Sequence, residues 1–134
     1  MPQTVLRICI TCRRNAEAEI AEADRDGTRL YRALAAEADE SLRVEKVRCL
    51  SGCKRACTAV IAAPDKWAYV LCEIDPDTQG PDLLDYARRH GETADGQVPW
   101  CERPESLRRK TLARIPPLET SPSAKKSAKR DEAA

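Results

Sequence analysis

Phenylalanine is absent from the 134 residues, and the chain has only two Trp, three Tyr and one Met. A core of large aromatic rings is excluded, so the interior must be built from Leu, Ile, Val and Ala. Such a core is thin, and a bound metal can supplement it. Long apolar runs are also missing. None approaches the ~20 residues of a membrane-spanning helix. Met1 to Ile10 lacks the basic start and extended apolar stretch of a signal peptide, so the expected location is the cytoplasm. An excess of charge of either sign is lacking too. Lys and Arg number 23 against 22 Asp and Glu, leaving a net +1. That balance argues against nucleic-acid binding through bulk electrostatics. A single histidine, His90, gives little support to mixed Cys/His zinc sites.

Cysteine, by contrast, is abundant, with seven residues. In a reducing compartment such richness points to metal or redox chemistry rather than disulfides. Five of the seven fall in two short segments: Cys9 and Cys12, then Cys49, Cys53 and Cys57. The remaining composition, 42% hydrophobic and 34% charged, is that of an ordinary soluble protein with one domain and a tail.

Along the chain, Thr4-Val-Leu-Arg-Ile-Cys-Ile10 alternates apolar and polar residues and predicts a first strand. Ala16 to Glu40 is rich in Ala, Glu, Arg and Leu, interrupted by Asp26 and Gly27. It reads as a loop or short helix, then a helix from Thr28 to Asp39 with Leu30, Tyr31, Leu34 and Ala38 inward. Leu42 to Cys49 alternates again as a second strand. Cys49 to Cys57 is a loop, Thr58 to Ala63 a short strand, and Trp67 to Ile74 a fourth strand closing a hairpin. Asp82 is the expected cap of a helix from Leu83 to His90, with Leu83, Leu84 and Ala87 inward. The order β-α-β-β-β-α fits an α/β fold of thioredoxin-like type, a mixed sheet flanked by helices. Residues 1–92 form this expected domain, 93–118 an extended arm packing on it, and 119–134 a disordered tail.

A βαβ unit sets its two strands side by side and parallel. Cys9/Cys12 follow the first strand and Cys49/Cys53 the second, so four thiols converge at one end of the sheet. Thiolates are soft donors that suit zinc, copper(I) and iron–sulfur centres. Two pairs match a [2Fe–2S] cluster, which takes two thiolates per iron, and match a zinc site of four cysteines equally well. Cys57 is close enough to replace a ligand or to serve as a spare thiol. Cys72, inside an apolar strand, reads as a small buried hydrophobe, and Cys101 as incidental. Arg13, Arg14, Lys54 and Arg55 flank the thiols. Loop cations are mostly solvated, yet these four also favour thiolates and suit an acidic redox partner. His90 reads as a cation near a helix C-terminus, and Trp67, Tyr69 and Trp100 as core or arm packing.

At Cys49-Leu-Ser-Gly-Cys-Lys-Arg-Ala-Cys-Thr-Ala-Val-Ile61 the chain resembles the thioredoxin-like [2Fe–2S] ferredoxins. The resemblance implies that Cys49 and Cys53 ligate one iron and that Cys9 takes the first ligand position on the other. In those ferredoxins a longer stretch separates the first two ligands, so Cys12 and Cys57 compete here for the fourth place. Residues 4 to about 117 resemble more closely an uncharacterised bacterial family of predicted metal-binding proteins. The matching segments are Ile8-Cys-Ile-Thr-Cys-Arg13, Cys49 to Thr58, Lys66-Trp-Ala-Tyr69, Val98-Pro-Trp100, Glu102-Arg-Pro104 and Ala113-Arg-Ile-Pro-Pro117. Its members are associated with cobalamin metabolism, which is a hint of pathway. The resemblance implies a small electron-transfer or metal-holding protein. A thioredoxin-like dithiol oxidoreductase using Cys9-Ile-Thr-Cys12 and a metal-trafficking protein are the alternatives. No acid/base set, phosphate loop or nucleotide motif is present, so the expectation is a protein that is not an enzyme.

Overall fold

Strand β1, Thr4–Cys9, is the second strand of a five-stranded sheet in the order β2-β1-β3-β4-β5. Its Val, Leu and Ile suit a pleated surface, and Thr4, Leu6 and Ile8 turn to one face and are buried. The computed structural model describes residues 3–11, 21–51 and 53–118, without the Cys53 side chain. Strand β2, Leu42–Val47, pairs with β1 in parallel, in the register Thr4–Leu42 to Cys9–Val47. Strands β3, Ala59–Ala62, and β4, Ala68–Leu71, continue the sheet antiparallel on the other side of β1. The expected mixed α/β sheet is therefore present.

Helix α1, Asp26–Ala35, makes the crossover from β1 to β2. Gly27, Leu30 and Leu34 form its buried stripe. Ala38, expected on that stripe, is exposed, because the helix ends at Ala35. Helix α2 spans Gly80–Glu92 and buries Leu83, Tyr86, Ala87 and His90. Asp82 does not cap it. The cap position is Gln79, Pro81 sits in the first turn, and Asp82 instead accepts a hydrogen bond from Ser106 Oγ. Both helices contact β1 and each other. They bury Leu6, Ile8, Leu30, Leu34, Leu83 and Tyr86 in one core. Val5, Arg7, Arg43 and Glu45 point to the opposite face and are half or fully exposed, with an Arg7–Glu45 ion pair at 3.0 Å.

The segment read as an extended arm contributes a fifth strand. Thr111–Ile115, β5, pairs antiparallel with β4 and covers its otherwise open edge. Before it, Val98 and Leu107 insert into the core, and the Val98 N–H donates to Tyr69 OH at 2.8 Å. Tyr69 is fully buried as expected, whereas Trp100 is half exposed, with the Arg103 guanidinium 5.6 Å from its ring centre. The tail expected to be disordered, 119–134, lies outside the described residues. No helix among the described residues is long and apolar enough to cross a membrane.

Candidate metal centre

Cys9 is the last residue of β1 and is fully buried. Its neighbours come from both sides of the strand. The Cys9 thiol faces Arg48 O at 3.8 Å and Thr11 Oγ1 at 3.5 Å, and the Thr11 hydroxyl also bonds Arg48 O. On the other side, the Cys9 N–H donates to Thr58 O at 3.2 Å. Cys9 thus lies between the residue preceding Cys49 and the residue following Cys57. The cause is the sheet order. Because β1 sits between β2 and β3, the loop leaving β2 and the loop entering β3 flank its end.

Cys49 lies two residues beyond β2 and is exposed. The Ser51 N–H donates to its sulfur at 3.3 Å. Ser51 itself has φ 60, the left-handed conformation of a tight turn. Leu50 packs against the core and anchors the loop from below. Cys57 is fully buried. Its N–H donates to Ile74 O at 3.3 Å, and the Ile74 N–H donates back to Cys57 O at 3.1 Å. Together with the bond from Glu73 N–H to Arg55 O at 2.7 Å, this zips the cysteine loop to the chain leaving β4.

Among the site residues named from sequence, Cys9, Cys49 and Cys57 come to one end of the sheet. Cys53 lies in a short 3-10 turn, Cys53–Arg55, between them. Cys12, Arg13 and Arg14 lie outside the described residues. Among the described residues, no three Cys, His, Asp or Glu side chains stand together in a way that would hold a metal ion. The donors suit a thiophilic metal or an iron–sulfur group, being sulfur with nearby cations and an amide donor. A complete set requires Cys12 or Cys53 to join the thiols described.

Cys72 is buried as expected of a small hydrophobe, but it also has a polar contact. Arg55 Nε donates to its sulfur at 3.3 Å, and Arg55 Nη2 bonds Glu73 Oε2 at 2.8 Å. The Cys72 sulfur and then Glu73 push the Arg55 guanidinium above its usual value. Arg55 is thus tied down, whereas Lys54 is exposed. Cys101 is exposed.

His90 corrects an expectation. It is fully buried at the end of α2, and burial pushes its pKa below the usual value, with Lys66 acting in the same direction. The neutral ring donates from Nε2 to Trp67 O at 2.6 Å, so His90 is a buried hydrogen-bonding group and not a surface cation. Gly27 and Thr28, which the sequence marks only as a break and the start of a helix, also shape the end of β1. An added Cβ on Gly27 would lie 1.9 Å from Cys9 O, so only glycine lets α1 approach the end of β1. Thr28 Oγ1, 2.9 Å from Ile10 O and 2.7 Å from Glu22 O, ties the helix to the turn after β1. The signal for Gly27 was in plain view as a glycine early in a helical stretch.

The fold is that of a thioredoxin-like α/β protein, with Cys9, Cys49 and Cys57 at one end of its sheet. The chain is similar to the structure of a thioredoxin-like [2Fe–2S] ferredoxin from Aquifex aeolicus, with a TM-score of 0.55 and 14% identity. The similarity covers 90% of this chain and 100% of that one. The family described as protein of unknown function (DUF1636) matches residues 6–117, and the chain belongs to it. No curated protein matches the chain.

Proposed function

We propose that this protein carries a [2Fe–2S] cluster for electron transfer. Its ligands are Cys9, Cys12, Cys49 and Cys53, with Cys57 the competing thiol for the place of Cys12. The observation that carries this reading is the position of Cys9 between Arg48 and Thr58, the immediate neighbours of Cys49 and Cys57. Sheet order alone sets the chain next to Cys49 and next to Cys57, about forty residues or more along the sequence, on either side of Cys9. When bound, the cluster supplies one-electron redox chemistry. The protein's part is to hold and tune it. Buried Cys9 and Cys57 close one side to water. The Ser51 N–H on the Cys49 sulfur stabilises negative charge, as hydrogen bonds to cluster thiolates do. Exposed Cys49 supplies the edge at which a redox partner protein would meet the centre. The similarity to the ferredoxin supports the fold on which this reading stands.

A dithiol oxidoreductase is less well supported. Its attacking thiol must reach a partner disulfide, and Cys9 has no exposed surface.

Purification without oxygen, followed by iron and sulfide analysis and an absorption spectrum, tests the proposal. We expect about two iron and two acid-labile sulfide per chain, with visible absorption. Cys9→Ser and Cys49→Ser should each lose most of the iron. Cys72→Ser should keep it, because that thiol is engaged with Arg55 behind the loop. A colourless protein with a single zinc ion would sink the iron–sulfur assignment and leave a zinc or metal-trafficking site.

A further inference from the structure

A groove of about 710 Å³ opens between α1, the edge strand β2 and the turn that follows β1. Its charged lining is unbalanced. Arg32, Lys46 and Arg48 contribute three cations, and Glu22 a single carboxylate. That carboxylate is engaged by Arg48 at 2.7 Å. Among the described residues, the side chains of Arg32 and Lys46 have no ion-pair or hydrogen-bond partner.

The placement has a cause in the strand pattern. Residues 42, 44, 46 and 48 of β2 and its continuation share the face that carries the helices. Leu42 and Val44 fill the core, and beyond the helix cover the same row ends in Lys46 and Arg48. Tyr31 and Arg32 of α1 face this end of the row. Tyr31 is half-buried and packed on the core, so its ring forms a fixed flat wall.

Three features coincide here. Uncompensated cations lining a concavity concentrate anions. Arginine offers a planar fork suited to phosphate or carboxylate oxygens. The groove also lies at the carboxyl ends of the sheet's parallel pair, β1 and β2, the end where α/β sheets hold their ligands.

We propose that this groove is a binding site for a small polyanion, a molecule bearing two or more phosphate or carboxylate groups. Arg32 and Lys46 hold the anionic groups, Arg48 holds a third or exchanges Glu22 for it, and the Tyr31 ring packs against the remainder. The site does not depend on the cysteine cluster for its charge.

Calorimetric titration of the full chain at low salt, with inorganic pyrophosphate and with citrate as separate probes, tests this. Saturable binding of one equivalent is expected for at least one probe, and the tighter of the two assigns the anionic group. Arg32→Gln combined with Lys46→Gln should weaken that binding at least tenfold and leave the thermal midpoint unchanged, because both are surface groups. Arg109→Gln, which neutralises an exposed cation outside the groove, should leave the affinity unchanged. The proposal is overturned if neither probe saturates below ~10 mM. An equal loss from Arg109→Gln also overturns it, since general attraction to a cationic surface then explains the binding. The readout is heat of binding, so it succeeds or fails independently of the metal content.

Discussion

His90 shows how burial rewrites the meaning of a residue. At the end of a helix, a histidine is ordinarily a favourable cation. Here α2 turns it inward, beneath Trp67 O and against the Tyr69 ring, and its pKa falls. Nδ1 is buried without a hydrogen-bond partner among the described residues, so a second proton would be costly. The sign of the pH effect follows. Above the unfolded value near 6.5 both states are neutral and full stability is present. Below it the unfolded chain takes up a proton that the folded chain resists, so stability falls as pH drops toward the lower folded value. We expect the thermal midpoint to decline from about pH 7 to pH 5, with a markedly flatter decline in His90→Gln. Identical slopes in the two proteins would show that His90 is not the group responsible. Asp39 acts in a separate window. Hydrogen bonds from Ser41, then Arg88, hold its carboxyl at about 2, so its contribution disappears only as pH falls from 3.8 to about 2.

Among the elements, α1 does most to set the geometry of the cysteine end. Its first turn touches the Cys9 carbonyl through Gly27, and its Thr28 hydroxyl reaches the Ile10 carbonyl and Glu22 O. In an exposed helix, Gly→Ala stabilises by about 1 kcal/mol. At Gly27 the new methyl would overlap backbone and not a flexible side chain, so the helix must move as a unit. Gly27→Ala should therefore cost about 1–3 kcal/mol in urea unfolding and reduce the iron retained, because Cys9 shifts with its carbonyl. A more stable Gly27→Ala protein would contradict this packing. The helix was legible from its Leu30–Leu34 spacing. Its true start at Asp26 was not, since glycine is normally a helix breaker and only the nearby strand explains it. β5 was hidden for a different reason. Its five residues, Thr-Leu-Ala-Arg-Ile, follow a basic stretch and are mostly exposed, so no alternation marks them as a strand.

For the molecule as a whole, the returning segment 93–118 adds the fifth strand and covers the edge that β4 would otherwise expose. Tyr69 receives the Val98 N–H, Tyr86 OH meets Thr111 Oγ1 at 2.9 Å, and Lys110 Nζ donates to Glu73 O at 2.6 Å. Leu107 is the fully buried anchor of this return. Leu107→Ala should cost about 2–5 kcal/mol in equilibrium unfolding. Hydrogen exchange should then be faster at the β4 and β5 amides than at those of β1. Uniform acceleration across the sheet would mean that the return is not a separable unit. Because Lys110 also braces Glu73, and Glu73 bonds Arg55, the same substitution should loosen the cysteine loop.

Local patterning was enough to establish the class of fold and to set the ends of β1 and β2, near which Cys9 and Cys49 come, side by side. A strand, an amphipathic helix and a second strand leave little choice but a parallel pair, and the thiols come directly after those strands. The same patterning set Cys57 in the loop that enters β3. Packing alone decided which charges are real, which loops are braced and where the sheet ends. His90 and Gly27 take their roles from partners 23 and 18 residues away, and Arg55 takes its role from Cys72, 17 residues on. Burial, close approach and hydrogen bonding across the sheet are properties of the folded chain, and no run of neighbouring residues encodes them.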